Sequence, residues 1–534
     1  QLAGFLNHGD TTEINARLFK IQLQIEQTTE IHVASLSADS CVYKIRGSAE
    51  ALTRYYPELR RPDFVSAITI GHNRYSTNTA SAFERVQPFS MLAHNGEINT
   101  IARLREAALG IGTQLVTQGS DSQDLNRTME TMVHGYGMTL MEAVELLFPP
   151  ILSEIKLLPA PLQDLYMFFR QLWGPFSQGP AAIVTRNGDE CVFGVDAMGL
   201  RPLWYGETDK EYFFSSEKGV IPIDAMTSDP VPLAPGERVA VQVERGHRVR
   251  LLRHPEIQKR VNDLARHRWR GIRGYRQHLE GPVQTRASHE HTRYYREYLA
   301  EDESAPPDHE RLLAAFGWDR EDVDAVERLA GTGNEKIGSL GWDGPLAALN
   351  DQRQNLADYY KETVAVVTNP AIDREREIEH FSLRTVLGRR PQMRSGKQVR
   401  AHKRMELTHP ILLGGHLKEQ SMPLEVYRTM AENLGTYVLE DLLAEFAEDP
   451  GAVRIIAASY RPEEGLRRAV QRIAEEAVAV ARDGAHLILV DDGTAFRRGR
   501  HAIDPHLALS WIDLALNHEF DEHGESFRRR VSLL

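Results

Sequence analysis

Between residues 181 and 252, short apolar runs alternate with turn chemistry, and this pairing constrains the fold more than any other feature of the chain. Residues 181–186 (AAIVTR) and 190–195 (ECVFGV) flank a segment containing Asn187-Gly188, a dipeptide suited to the tight reversal of a hairpin. The pattern recurs in 200–206 with 211–217, and in 238–243 with 248–252 across Glu244-Arg245-Gly246-His247. It also occurs earlier, in 31–37 with 41–46 across Ala38-Asp39-Ser40. Consecutive hairpins build an antiparallel sheet. Helical spacing of Leu125, Met129, Met132 and Val133, and of Leu140, Val144 and Leu147, supplies layers to cover it. The last third changes character. Residues 454–460 read as a strand, Pro462 as a helix start, and Leu466, Val470, Ile473, Ala477 and Val480 as one helical face before the buried strand 485–490. A strand–helix–strand unit joins parallel strands through a right-handed crossover. A further helix carries Leu507, Trp511 and Leu514 on one side, and an apolar, strand-like Val531-Ser532-Leu533-Leu534 follows.

Composition narrows the function classes. At 534 residues the chain is long enough for several domains of about 150 residues. Its formal charge of −12 repels phosphate backbones, so a nucleic-acid role would need a strong local basic patch. Arg266, Arg268, Arg270, Arg273 and Arg276, interleaved with His267, Trp269 and Tyr275, form the one basic stretch. It reads as a solvated connector pairing with acidic surface rather than as an RNA-binding segment. His289-Glu290-His291 lacks a third ligand at motif spacing and is a weak metal signal. No run approaches 18 apolar residues and the N-terminus has no signal-peptide pattern, so membrane and secretory readings drop out. Two cysteines, Cys41 and Cys191, exclude a disulfide framework and a cysteine-ligated cluster within the chain, and suit a reducing cytoplasm. Both fall in expected strands, where a thiol is buried and inert. The chain opens with Gln1 rather than Met, as a processed or cut chain would.

Three polar clusters sit where strands end. In Gly71-His72-Asn73-Arg74, Arg74 follows the strand SAITI; it either makes a surface salt bridge or grips a substrate carboxylate bidentately. In His94-Asn95-Gly96-Glu97, the Asn-Gly pair is either a tight turn or an oxyanion hole built from the Asn95 amide and the Gly96 N–H. In Ser120-Asp121-Ser122, Asp121 either helps to cap the following helix or holds a substrate ammonium.

Together, HNRYSTNT, AHNGEINT and the SDS tripeptide, with SLSADSCVYK, GLRPLWY, SSEKGV and APGE, resemble the glutamine amidotransferase region of the glutamate synthase large-subunit family. That region is a class II amidotransferase of the N-terminal-nucleophile hydrolase superfamily. AAFGWDREDV, GSLGWDGPLAALND, YYKETVAVVTNPAIDREREIEHFSL, HPILL, DGAHLILVDDG and FRRRVSLL extend the likeness into the family's central region. The resemblance implies an incomplete α+β layered sandwich (αββα) over residues 1–252, a basic linker over 253–305 and a truncated α/β central domain over 306–534. It assigns Arg74 to the α-carboxylate of glutamine, Asp121 to its α-ammonium, and Asn95 and Gly96 to the oxyanion hole. In the family an N-terminal Cys attacks the amide and its own amine serves as base; Gln1 offers no nucleophile, so that part of the site lies outside the sequence. Asp196-Ala197-Met198-Gly199 stands where the family has a more polar turn. The implied function is part of a glutamate synthase large chain in the cytoplasm, binding glutamine and releasing ammonia for reductive amination of 2-oxoglutarate to glutamate. The alternative is a noncatalytic amidotransferase-like binding or scaffold protein. No cofactor is expected in this chain. FMN, an iron–sulfur cluster, a flavin barrel and an electron-donor subunit or ferredoxin are implied for the full-length family protein.

Overall fold

In a computed structural model of the chain, residues 10–73, 82–174, 177–244, 248–279, 317–334, 374–380, 382–394, 402–415, 423–495 and 499–534 are described, with a few single positions between them. The first region runs through α1 (Thr11–Thr28), α2 (Ala49–Tyr55), β1 (Leu92–Gly96), α3 (Ile101–Leu109), α4 (Asp121–Glu130), α5 (Leu140–Leu147), α6 (Leu152–Leu157) and α7 (Ala160–Leu172). Strands β2 (Ala181–Asn187), β3 (Glu190–Val195), β4 (Trp204–Glu207), β5 (Tyr212–Ser215), β6 (Val231–Pro232), β7 (Arg238–Glu244) and β8 (Arg248–Arg253) follow, then α8 (His254–Arg268) and α9 (Tyr275–Leu279).

Five strands form an antiparallel sheet in the order β1-β2-β3-β7-β8. Asn95 lies opposite Ala182, and Ala182 opposite Val195. Side chains alternate between the two faces. Ile183, Val192 and Ala240 join the core made by α4, α5, α7 and α8, while Ala182, Phe193 and Val239 face the other way. There the smaller sheet β5-β4-β6 packs, with Phe214 stacked on Phe193 at 3.6 Å between ring centres. Helices, sheet and sheet give the layer order of an α+β sandwich.

The second region contains α10 (Arg320–Thr332), α11 (Arg374–His380), β9 (Thr385–Gly388), β10 (Arg404–Leu407), α12 (Leu424–Leu434), α13 (Leu439–Ala447), β11 (Val453–Ala457), β12 (Ser459–Tyr460), α14 (Leu466–Arg482), β13 (Leu487–Asp491), β14 (His501–Ala502), α15 (Pro505–His518) and β15 (Ser532–Leu533). The expected strand–helix–strand unit is β11–α14–β13. Its strands are parallel, and β15 adds to β13 in the same sense. The two regions interlock. Met393 is fully buried in the first core, and Arg529 donates to Leu172 O (2.7 Å) and Pro391 O (3.2 Å). Arg390 donates to Trp173 O at 3.0 Å, and Tyr136 OH reaches Gly524 O at 3.3 Å. Among the described residues, no helix is long and apolar enough to cross a membrane.

Several local expectations change. Residues 31–37 and 41–46 form no strands; side chains take some of their backbone donors, Val33 N–H going to Glu26 (3.1 Å) and Val42 N–H to Ser35 (2.9 Å), and Ala38 N–H between them goes to Asn15 (2.8 Å). Cys41 is therefore exposed rather than buried, whereas Cys191 is buried in β3. Helix α14 starts at Leu466 behind Gly465, not at Pro462. Helix α15 buries Ala508, Ile512 and Leu516 and leaves Leu514 exposed. Within the basic stretch, residues 253–279 are not a solvated connector. Ile257, Val261, Trp269 and Tyr275 are core residues, and Arg268 pairs with Glu142 at 3.2 Å. With Trp269 and Tyr275 at most 2% exposed, the aromatics that base stacking would need face the interior. His289, Glu290 and His291 lie outside the described residues.

Candidate functional site

The site grows from the end of β1, an edge strand. Toward β2, Met91 O accepts from Arg186 N–H (2.8 Å), Glu97 N–H donates to Pro180 O (3.0 Å) and Asn99 N–H to Gln178 O (2.7 Å). In an antiparallel pair, bonding positions alternate. Odd-numbered residues therefore bond inward, and even-numbered ones present their backbone to the open edge. On that edge Gln87 brackets His94 through bonds of 2.6 and 3.0 Å, and Ile98 N–H donates to Asp121 Oδ2 at 3.0 Å. Gly96 N–H faces the same edge with no partner among the described residues.

Gly96 is required by sterics. Its φ is +136°, and a Cβ there would stand 1.7 Å from Pro180 O. Gly179, across from it, has φ +146°, and a Cβ would stand 1.9 Å from Glu97 O. Two glycines thus let the chains close past the end of β1. Asn95 alternates to the opposite face, and its Nδ2 donates to Ser216 Oγ at 3.0 Å, just beyond β5. The amide's second N–H and Gly96 N–H are donors of the kind from which oxyanion holes are built.

Asp121 comes to the same place. Ser120 caps α4 by accepting from Gln123 N–H (3.1 Å), and Asp121 serves both the first turn of α4 and the neighbouring strand end. Its carboxylate accepts from Ile98 N–H, from Ser122 N–H (2.6 Å) and from Ser122 Oγ (3.0 Å). Ser122 Oγ in turn lies 2.9 Å from His94 Nδ1. Burial pushes His94 down to about 4, assisted by the charges of His72 and Arg201 and opposed by Asp121, so the ring is neutral near pH 7. Arg74 lies outside the described residues. His72, two residues earlier, has its ring bonded to the backbone of His94.

Sequence reasoning missed His94, Ser122, Ser216 and Asp196 as structural members of this neighbourhood. Asp196, in the turn that departs from the family pattern, accepts from the N–H groups of Ala181, Met198, Leu200 and Arg201 at 3.0–3.2 Å. It thereby fixes the loop that carries Arg201. A carboxylate followed by a glycine three residues on was the available signal. At the same end of the sheet lies a cavity of about 450 Å³, lined by Gly179, Pro180, Asp196, Gly236 and, from α11, Arg376. Arg376 reaches Glu154 and donates to Ala197 O at 3.1 Å.

Neither cysteine is poised as a nucleophile here. Burial drives the Cys191 thiol up to about 12. It also sits four residues along β3 from Val195, which strand rise converts to about 13 Å. Cys41 belongs to an irregular segment. One exposed and one buried cysteine do not form the ligand set of an iron–sulfur cluster.

Comparison with known proteins matches residues 7–268 to the family of class-II glutamine amidotransferases and residues 311–534 to the glutamate synthase central domain. The chain is 32% identical to the glutamate synthase [NADPH] large chain of Azospirillum brasilense over 91% of its own length and 31% of that protein. It is 31% identical to ferredoxin-dependent glutamate synthase 1 of Arabidopsis thaliana over 77% of its length and 26% of that protein. The chain thus spans about a third or less of these relatives. A glutamine phosphoribosylpyrophosphate amidotransferase from B. subtilis aligns structurally over 34% of each chain, with 22% identity and a TM-score of 0.23.

Proposed function

Because the chain belongs to the glutamate synthase family, joining a class II glutamine amidotransferase region to the family's central region, we propose that it forms the glutamine site of a glutamate synthase large chain. In this reading the site takes glutamine, cleaves its side-chain amide and passes ammonia on for reductive amination of 2-oxoglutarate to glutamate. The observation that carries it is the Gly96 N–H, without a partner among the described residues, beside the Asn95 amide, with Asp121 held to the same strand end by Ile98 N–H at 3.0 Å. Asn95 and Gly96 stabilise the oxyanion as the amide carbon becomes tetrahedral. Asp121, with three of about four acceptor positions used, takes the α-ammonium. Arg74, which lies outside the described residues, takes the α-carboxylate, as the family likeness implies. Attack on the amide belongs to an N-terminal Cys, as the family likeness implies, whose amine titrates near neutrality and can accept the thiol proton. The cavity beside Gly179–Ala181 offers ammonia a way out of the site. In this reading FMN and the iron–sulfur cluster belong to other parts of the larger protein, and the electrons come from a separate subunit or ferredoxin. The two cysteines here do not fit the cluster, and no step in this chain runs through either group.

Calorimetric titration with glutamine tests the binding half of this reading. Asp121→Asn should weaken affinity by about 2–5 kcal/mol, as loss of one partner of a charge-paired contact does. In a chain extended to begin with a free Cys, Asn95→Ala should lower kcat for ammonia release by about 10²–10³. Glutamine binding indifferent to Asp121→Asn would overturn the assignment.

A further inference from the structure

Outside the glutamine site, the second region gathers His402, Asp449 and His486, with one donor atom of each lying within 4.8 Å of the others. We propose that these three residues bind one zinc ion. They come from separate segments: His402 from the approach to β10, Asp449 from the turn between α13 and β11, and His486 from the entry to β13. The backbone holds two of them firmly. His486 N–H donates to Ala452 O at 2.7 Å, its carbonyl accepts from Ser532 N–H at 2.9 Å, and Ala452 N–H closes the turn onto Asp449 O at 3.0 Å.

The rings of His402 and His486 meet edge to face with centres 4.6 Å apart, and His486 Nδ1 stands 4.0 Å from Asp449 Oδ2. His402 Nδ1 is buried and has no hydrogen-bond partner among the described residues, a cost that coordination or a bonded water would remove. Zinc–ligand bonds of about 2.0–2.2 Å place tetrahedral donors about 3.4 Å apart. The Asp449 side chain, 61% exposed, can swing the remaining distance. Two imidazoles and one carboxylate, with water in the fourth position, form a donor set suited to zinc and too nitrogen-rich for calcium or magnesium.

Arg389 and Arg404 oppose a dication through the same field that acts on His402. Arg404 is directed over the Tyr275 ring at 5.3 Å, and Lys403 pairs with Glu445 and Glu448. Affinity should therefore fall below that of an all-thiolate structural site, and the ion should act as a clasp among three segments.

The test uses the whole chain, stripped with chelator and titrated with Co²⁺ alone and then Zn²⁺. One Co²⁺ per chain should bind at about 10 µM metal and give the visible bands of four-coordinate cobalt. Zn²⁺ should displace it and raise the thermal midpoint in proportion to the logarithm of its concentration. Asp449→Asn, at an exposed side chain, keeps the fold and should weaken binding by at least ~10–100-fold, since even an outer partner of a ligand is worth that much. His486→Gln should do the same. The pair His289→Ala with His291→Ala should leave binding unchanged. Absence of a stoichiometric ion, bands that survive Asp449→Asn and His486→Gln, or bands abolished by the 289/291 pair would overturn the proposal.

Discussion

Gly96 shows how one residue of the proposed site also answers to the fold. A Cβ at this position would overlap Pro180 O, and the φ of +136° is hostile to any side chain. Gly96→Ala should therefore cost about 1–3 kcal/mol in urea unfolding, and it should weaken glutamine binding further by displacing the edge that carries the free N–H. Glu190, at the start of β3, is a different case. Burial lifts its carboxyl to about 7, with Arg260 opposing and Glu142 reinforcing the rise. A carboxyl whose folded pKa exceeds its unfolded value near 4.5 binds more protons when folded, so stability falls as pH rises from about 4.5 through 7. Glu190→Gln should be nearly neutral at pH 4 and stabilising by on the order of 1–3 kcal/mol at pH 8, as read by paired denaturant titrations.

At the scale of elements, α5 and β7 are joined by charge. Glu145 on α5 is fully buried and meets Arg238 of β7 at 3.0 Å, with the Tyr166 hydroxyl on its second oxygen. Gln258 Nε2 supports that hydroxyl at 3.0 Å from α8. Burial alone would raise the Glu145 carboxyl, but Arg238, His254 and Tyr166 outweigh it and hold the group near 2. The folded pKa lies below the unfolded one, so this contribution is complete above about pH 4.5 and is lost as pH falls toward 2. Glu145→Gln leaves Arg238 buried beside no counter-charge and should cost about 3–5 kcal/mol at pH 7. Its acid unfolding curve should also be flatter between pH 4.5 and 2, measurable by far-UV circular dichroism.

For the whole molecule, the decisive contacts join residues hundreds of positions apart. Arg529 pairs with Glu525 at 3.0 Å while donating to Leu172 O and Pro391 O, and both charged side chains are nearly inaccessible. Met393 N–H is taken by the other oxygen of Glu525 at 2.7 Å, and Trp269 Nε1 by Gln392 O at 3.0 Å. Helix α11 adds Arg376 on Glu154 and Glu379 on Arg170. The amidotransferase core therefore depends on the central region for part of its own burial. Arg529→Ala should lower the melting of both regions together in scanning calorimetry, by about 3–5 kcal/mol; a shift confined to the second region would contradict this coupling.

The hairpins β2–β3, β4–β5 and β7–β8 and the β11–α14–β13 unit were legible in the sequence because period-two and period-3.6 patterns and turn residues are local properties. Asn95, Gly96 and Asp121 were legible as a group only through the family likeness, since each has an ordinary local reading as a turn or a cap. What the tertiary structure decided is where their polar groups point. Ser120 takes the N-cap, Asp121 accepts from both Ser122 N–H of the first turn and Ile98 N–H across the gap, and strand parity turns Gly96 N–H toward the open edge. It likewise turned the apolar residues in and beside the Arg-rich stretch inward, because Ile257, Val261, Trp269 and Tyr275 bury against α5 and α7 while Arg268 reaches Glu142 and Arg266, Arg270 and Arg273 stay exposed. Local pattern records what a residue can do. Which neighbour competes for its hydrogen bonds and its burial is settled only when segments distant in the chain meet, because both are short-range interactions between groups that sequence order does not place together.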